Sequence, residues 1–121
     1  MDQWEAYLKF RDGLISILDE RFYPAAWLDA EVYAGFVKLF HCDDAAILAE
    51  LKVYPSELME VRGVLATGRL ESIEDILIPQ AEAWGKAEGC FCADISSREG
   101  WLRRLRKRGY SLHQVSIRKE L

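Results

Sequence analysis

The sequence predicts an α+β protein with a central mixed, mostly antiparallel sheet flanked by helices. Three observations lead there. Apolar residues recur at three- and four-residue spacing near the amino end. Between residues 36 and 67 they gather into short β-prone runs joined by hairpin-length turns. Beyond residue 72 the rhythm alternates between helix and strand, as crossover connections require.

From Asp2 to Arg21, Trp4, Tyr7, Leu8, Leu14, Ile15, Ile17 and Leu18 mark the buried face of an amphipathic helix. Glu5 and Lys9 form a favourable pair on its outer side. Phe22-Tyr23-Pro24 stops it, and a second short helix runs from Ala25 to Tyr33, ending near Gly35. Phe36 to Phe40 reads as a strand, followed by a His41-Cys42-Asp43-Asp44 turn. Ala46 to Tyr54 begins as a buried run and then alternates, Pro55-Ser56-Glu57 turns the chain, and Leu58 to Thr67 is a third strand. Ser72-Ile73-Glu74-Asp75 resembles a capping box for a helix whose apolar face carries Ile76, Leu77, Gln80, Ala81, Trp84 and Ala87. Pro79 lies within it, as a kink or as a first-turn residue. A strand over 91–95, a helix from Arg98 to Arg108 capped by Ser96 or Ser97 and closed by Gly109, and a last strand from Tyr110 to Lys119 complete the chain.

The 121 residues are 50% hydrophobic and 30% charged, which excludes disordered and collagen-like classes. With no repeat, low-complexity tract or linker, residues 1–121 are expected to form one compact domain. No apolar run reaches bilayer length, and Met1-Asp2-Gln3-Trp4-Glu5 lacks the features of a secretory signal. Cys42, Cys90 and Cys92 cannot all pair within the chain, so free thiols and a cytoplasmic location are expected. Net charge is −4 and uneven: residues 1–97 carry 8 basic and 18 acidic side chains, residues 98–121 carry 8 and 2.

Few groupings carry chemistry. Cys90 and Cys92 share one side of a strand, are expected to be buried, and have no further ligands at zinc spacing; no metal site is expected. His41-Cys42-Asp43-Asp44 is explained by a polar turn, and His113 has no serine or cysteine partner. Trp4, Trp27, Trp84 and Trp101 are expected mostly to fill the core. Arg103, Arg104, Arg106, Lys107 and Arg108 gather on the last helix opposite Trp101, Leu102 and Leu105. They read either as a solvated face near a helix carboxyl end or as a docking patch for a protein, phosphate or nucleic-acid partner.

The order helix, helix, meander, helix, strand, helix, strand resembles the GNAT superfamily of acetyl-CoA-dependent N-acetyltransferases. The likeness is most concrete over residues 72–121, in Ala81-Glu82-Ala83-Trp84-Gly85-Lys86-Ala87-Glu88-Gly89-Cys90, in Ser97-Arg98-Glu99-Gly100-Trp101, and in the Arg108-Gly109-Tyr110 close. With the terminal HQVSIRKEL these segments look closer still to small phage-encoded proteins of GNAT type. The resemblance implies a phosphate loop of Arg/Gln-x-x-Gly-x-Gly/Ala type. The nearest segment, Arg62-Gly63-Val64-Leu65-Ala66-Thr67, keeps Arg62 and Gly63 as degenerate cofactor-binding residues but has Leu65 and Thr67 where small residues belong. The resemblance also implies an Asn and a Tyr general acid on the last helix, where Arg98 and Leu105 stand.

The expectation is therefore a non-catalytic GNAT-fold protein of phage type. It would act through protein–protein contacts in a virion or its assembly, with the 98–108 helix as one contact, no cofactor and no membrane. The alternative is a divergent acetyl-CoA-dependent N-acetyltransferase using Tyr110 or a water as acid. A second alternative is a nucleic-acid-associated factor using the basic helix.

Overall fold

The computed structural model describes residues 2–97 and 100–121. Helices α1 (Gln3–Ile15) and α2 (Ala25–Ala34) precede strands β1 (Lys38–His41), β2 (Ala45–Val53) and β3 (Met59–Gly68). A long helix follows in three parts: α3 (Leu70–Ser72), a π-helical turn (Ile73–Leu77) and α4 (Ile78–Ala87). Strand β4 (Cys92–Ile95), helix α5 (Gly100–Leu105) and a 3-10 turn (Arg106–Arg108) come last. The sheet order is β1-β2-β3-β4, antiparallel except for the parallel β3–β4 pair. The predicted mixed α+β architecture is thus observed, with helices covering both faces.

Alternation along β2 assigns the two cores. Ala46 and Leu48 face α1 and α2, where Ala6, Tyr7, Leu14, Leu28, Val32 and Leu39 are also buried. Ala45 and Ile47 face the other way, against Ile73, Leu77, Ile78, Ala81 and Leu105. Local chemistry fastens the first layer. The Asp2 carboxylate accepts from the Glu5 N–H at 2.9 Å and caps α1. The Gln3 side chain donates to the Val37 carbonyl at 2.9 Å and accepts from the Leu39 N–H at 3.0 Å, tying α1 to the first strand. Asp29 on α2 accepts from the buried Tyr7 hydroxyl at 2.6 Å and from both Arg11 nitrogens at 2.8 Å. The Arg11 guanidinium holds the Asp29 carboxyl below its usual range.

Between Leu48 and Ala49 the β2–β3 register slips: Leu48 faces Leu65, Ala49 faces Gly63, and Val64 has no partner. This bulge inverts the parity of β3. Leu65 and Thr67 share the α1 face, as do Arg62 and Glu60 beyond the bulge, while Gly63 and Val61 look toward α4. Gly85 of α4 sits directly on Val61, where an added Cβ would lie 2.6 Å from a Val61 methyl.

The long helix meets Pro79 without a break. Proline cannot donate backward, and its ring collides with the carbonyl four residues earlier. The chain widens first into the π turn, in which the Ile78 N–H donates to the Ile73 carbonyl. Pro79 then falls in the opening turn of α4.

Four expectations are corrected. The first helix stops at Ile15 because the Ser16 hydroxyl turns back onto the Gly13 carbonyl at 2.6 Å. The predicted final strand over Tyr110–Lys119 has no ladder pairing and no regular secondary structure. Leu112 has the opposite parity to Val115 and Ile117, so that segment offers no single apolar face to bury. Cys92 is exposed rather than buried, and Cys90 is half-buried. All three cysteines are free, as expected. Of the tryptophans, Trp4 and Trp27 pack half-buried on the first core and Trp101 on the second, while Trp84 lies half-buried beside Phe40 under the Lys38 ammonium. No described helix is long and apolar enough to cross a membrane.

Gly85→Ala is expected to destabilise the protein by about 1–3 kcal/mol in urea unfolding, through overpacking against Val61. Combining it with Val61→Ala should recover most of that loss. A double variant no better than Gly85→Ala would refute the contact as the cause.

Candidate functional site

Strands β3 and β4 pair only from Glu60↔Cys92 to Gly63↔Ile95 and then part. Beyond that point the β4 side of β3 has no strand neighbour, and a groove of about 420 Å³ opens between the two. Val64, Leu65, Ala66 and Thr67 form one wall, and Ile95, Ser96 and Ser97 the other. Ile73 and Ile78 of the long helix, Trp101 of α5 and Ile17 after α1 complete the lining. The size is that of a small-molecule site. Among the described residues no carboxylate, imidazole, thiol, amine, guanidinium or phenol lines it; the polar groups are three hydroxyls, the Trp101 indole N–H and the backbone edge of β3.

Two devices hold the groove open. Thr67 is pressed by α1, whose Gly13 leaves room for it; a Cβ on Gly13 would lie 2.3 Å from the Thr67 hydroxyl. On the other side α5 is pinned by Glu74, a carboxylate only 2% exposed in the π turn. Glu74 meets Arg104 at 2.8 Å, Lys107 at 3.2 Å and Arg108 at 3.8 Å. Arg108 also pairs with Asp75. Contact with the Lys107 ammonium, and then with Arg104, holds the Glu74 carboxyl below its usual range against the opposing effect of burial.

The structure separates the expected site residues. Gly63 lines the groove, where a Cβ would meet Ile95 at an ordinary 3.4 Å. Arg62 points to the opposite face and joins a ladder of acids across three strands: Glu60 at 3.3 Å, Glu50 at 3.9 Å and Asp94 at 3.9 Å. The segment that holds them is strand, not a phosphate loop. Leu105, at the position where the resemblance implies a tyrosine, is buried in the second core. Arg98 lies outside the described residues. Tyr110 lines a separate small cavity and donates its hydroxyl to Glu82 at 2.8 Å. Burial, and then Glu82, push its phenol well above the usual range, so it is not poised to give up a proton. Of the five clustered cations, Arg104, Lys107 and Arg108 are engaged by Glu74 and Asp75, while Arg103 and Arg106 remain exposed. No group of metal-ligating side chains occurs among the described residues.

Two residues of the site escape sequence reasoning. Glu74 reads as a capping-box acid but is the anchor of α5. Asp44 reads as a turn residue, yet its carbonyl accepts the Arg69 N–H at the entrance to the long helix at 3.0 Å. The Ser72 hydroxyl, and then the Cys42 thiol, hold the Asp44 carboxyl low. Cys92 stands beside Glu60, and burial with that neighbour raises its thiol pKa, which leaves a weak nucleophile.

Splayed strands, a bulge at the point of parting and helices on both faces make an α+β scaffold whose fold comparison with solved structures identifies. The chain is similar to a transcriptional regulator from Bacillus halodurans at 14% identity and TM-score 0.72, covering 97% of this chain and 95% of that one. It is similar to glucosamine-6-phosphate N-acetyltransferase from Arabidopsis thaliana at 9% identity and TM-score 0.71, covering 99% and 94%. It is also similar to the aminoglycoside N-acetyltransferase AAC(6')-Iy in complex with CoA, at 14% identity and TM-score 0.66, covering 97% and 90%. The chain has the GNAT fold. No family model matches the sequence, and no curated protein matches it.

These likenesses correct the leading functional expectation. Acetyltransferases share the fold over nearly the whole chain, and nothing points to a phage, a virion or a structural role. Three of the five cations of the basic cluster pair with Glu74 or Asp75.

The Glu74 anchor gives a pH prediction. A carboxyl depressed in the folded state contributes stability above its unfolded pKa, and that contribution is lost as pH falls through the folded value. Acid unfolding of the native protein should therefore steepen below about pH 4.5, the ordinary glutamate value. Glu74→Gln should be less stable at pH 7 and show a flatter acid limb. Parallel limbs in the two proteins, followed by circular dichroism, would remove Glu74 from the account.

Proposed function

We propose that this chain is an acetyl-CoA-dependent N-acetyltransferase whose acyl donor lies in the groove between β3 and β4. The observation that carries the reading is the parting of β3 and β4 beyond Gly63 and Ile95, which leaves an aliphatic slot with a free strand edge in it. An extended thioester arm with its own amides fits such an edge as an added strand would, by main-chain hydrogen bonds. The aliphatic walls shield the thioester from water. Acetyl-CoA supplies an activated acyl carbon when bound.

The described groove residues orient the donor and exclude water; none of them carries a titrating group to move a proton. In the transfer the amine nitrogen bonds to the thioester carbon, the carbon–sulfur bond breaks, and the amine proton ends on sulfur by way of water. A thiol leaves readily because its pKa is about 8.5, so a strong protein acid is not required. Forgoing a general acid costs about 10²–10⁴-fold in rate, which makes this a slow catalyst. A cytoplasmic site of action, with reduced cysteines, accompanies this reading.

The test is thiol release from acetyl-CoA with a panel of primary amines, beside calorimetric titration of acetyl-CoA. Binding and amine-dependent release are expected. Ser96→Trp, placed on the exposed rim, should weaken binding at least tenfold while the melting temperature holds. Absence of both binding and release in the native protein would sink the reading. The pH dependence of kcat/KM should follow the free-amine fraction upward to about pH 9, with no falling limb from an enzyme acid; a bell-shaped profile would show that a titrating protein group takes part.

A further inference from the structure

We infer that donor recognition in this protein stops at the pantetheine thioester arm and does not extend to the diphosphate of the nucleotide. The inference rests on the groove being the donor site, as proposed above. The amino end of the long helix, α3 through α4, is the place beside the groove where backbone N–H groups and the helix dipole would favour a phosphate. The chain has closed that place and placed its own carboxylates there.

Gly68, at φ +109°, makes the turn from β3 into the helix, and the β1–β2 turn lies directly on it. A Cβ on Gly68 would come within 2.2 Å of the Asp44 carbonyl oxygen. That same oxygen takes the Arg69 N–H, a donor that a phosphate would otherwise use. The Asp44 carboxylate interacts with the Ser72 hydroxyl in the first helical turn. Glu71 stands in that turn as well, and accepts from Arg69 Nε at 3.3 Å. Two carboxylates therefore face the position, and the guanidinium next to it is engaged by one of them. Leu65 and Thr67 add bulk on the strand leading in, with Thr67 fixed by the close approach of Gly13. A diphosphate would find repulsion where a cradle would have to be.

The groove itself remains fit for the arm, since its lining is aliphatic and its edge is unpaired backbone. The substrate class that follows is an acyl-S-pantetheine unit, whether free, on CoA, or on a phosphopantetheinylated carrier. A gripped phosphate would separate these sources, because a hydrogen bond to a charged group is worth about ten- to hundredfold in affinity.

Calorimetric titration of the full chain with CoA and with pantetheine tests this without any turnover. Dissociation constants within about threefold of each other are expected, with CoA affinity rising by no more than about two- to fivefold from low to high salt as the repulsion is screened, and never falling. S-acetylpantetheine should match acetyl-CoA in kcat/KM to a similar factor. Asp44→Asn should tighten CoA about two- to fivefold and leave pantetheine alone, since it removes one carboxylate from a helix amino end. A preference for CoA of thirtyfold or more, or an Asp44→Asn protein with unaltered CoA affinity, overturns the inference and leaves the donor groove standing. Failure of both thiols to bind overturns the donor groove, and this inference with it.

Discussion

The parting of β3 and β4 after Gly63 and Ile95 governs the rest of the molecule, because a parallel pair that continued would leave no groove. The bulge at Val64 comes one residue beyond the last paired position on β3. It adds a residue to one strand only, which bends β3 and raises its local twist. It also inverts which side chains face which layer. Leu65 and Thr67 can then pack against α1, while Val61, three residues before the bulge, meets Gly85 of α4. One extra residue thus sets the direction of the strand, the contents of both cores and the position of the free backbone edge.

A second extra residue does comparable work in the long helix. The π turn removes the clash that Pro79 would cause and places Glu74 in the buried surface facing the last helix. A buried carboxylate is costly without partners, and three cations from the Arg104–Arg108 segment surround it. This explains part of the uneven charge of the chain. Three of the eight basic residues beyond position 97 are counter-charge to Glu74 and Asp75 on the long helix, and Trp101 on the same segment lines the groove. The short α5, of six residues, buries Leu105 and half-buries Trp101 and Leu102. The ion pairs to Glu74 add a second tie between this segment and the long helix.

Much of the fold was legible from periodicity and punctuation. Gly35, Gly89 and Gly109 all take left-handed φ at chain reversals the sequence marks, and Pro24 sits where the second helix begins. The groove was not legible, because it is made by residues that look like ordinary strand: Val64, Leu65, Ala66 and Thr67 carry no motif. The one sequence signal for the bulge is Gly63, a glycine inside a strand pattern directly before Val64, and by itself it does not say which residue is left unpaired. The internal role of the basic cluster was hidden for a related reason. Five cations in six residues suggest an external partner, and Glu74, which pairs with three of them, is 30 positions upstream of Arg104 and looks like a solvent-facing cap residue. The final strand failed by parity alone. Its β-prone residues do not share a face, and the chain instead anchors Tyr110 on Glu82 and lays Arg118 over Phe22.

A groove whose described lining carries no titrating side chain constrains how the proposed acyl transfer would be accelerated in it. Proton transfer from a placed side chain contributes about 10²–10⁴-fold where it operates. Holding two reactants in line is worth effective molarities of about 10⁵–10⁸ M, and needs only a rigid slot and a directed backbone. Both are present. Thr67 is clamped by Gly13, Ile73 and Ile78 belong to a helix whose core side is fully packed, and Trp101 is fixed through Glu74. The Gly63-to-Thr67 edge offers donors at fixed spacing, so the carbonyl of an aligned thioester can be polarised without a charged group. Under the proposed function, the balance of effects favours catalysis by alignment and exclusion of water, with the amine's own ionisation deciding when it attacks. In such a site the precision of β3 matters more than the identity of any one side chain, which is why the bulge and its two supports, Gly13 and Gly85, are the residues on which function would turn.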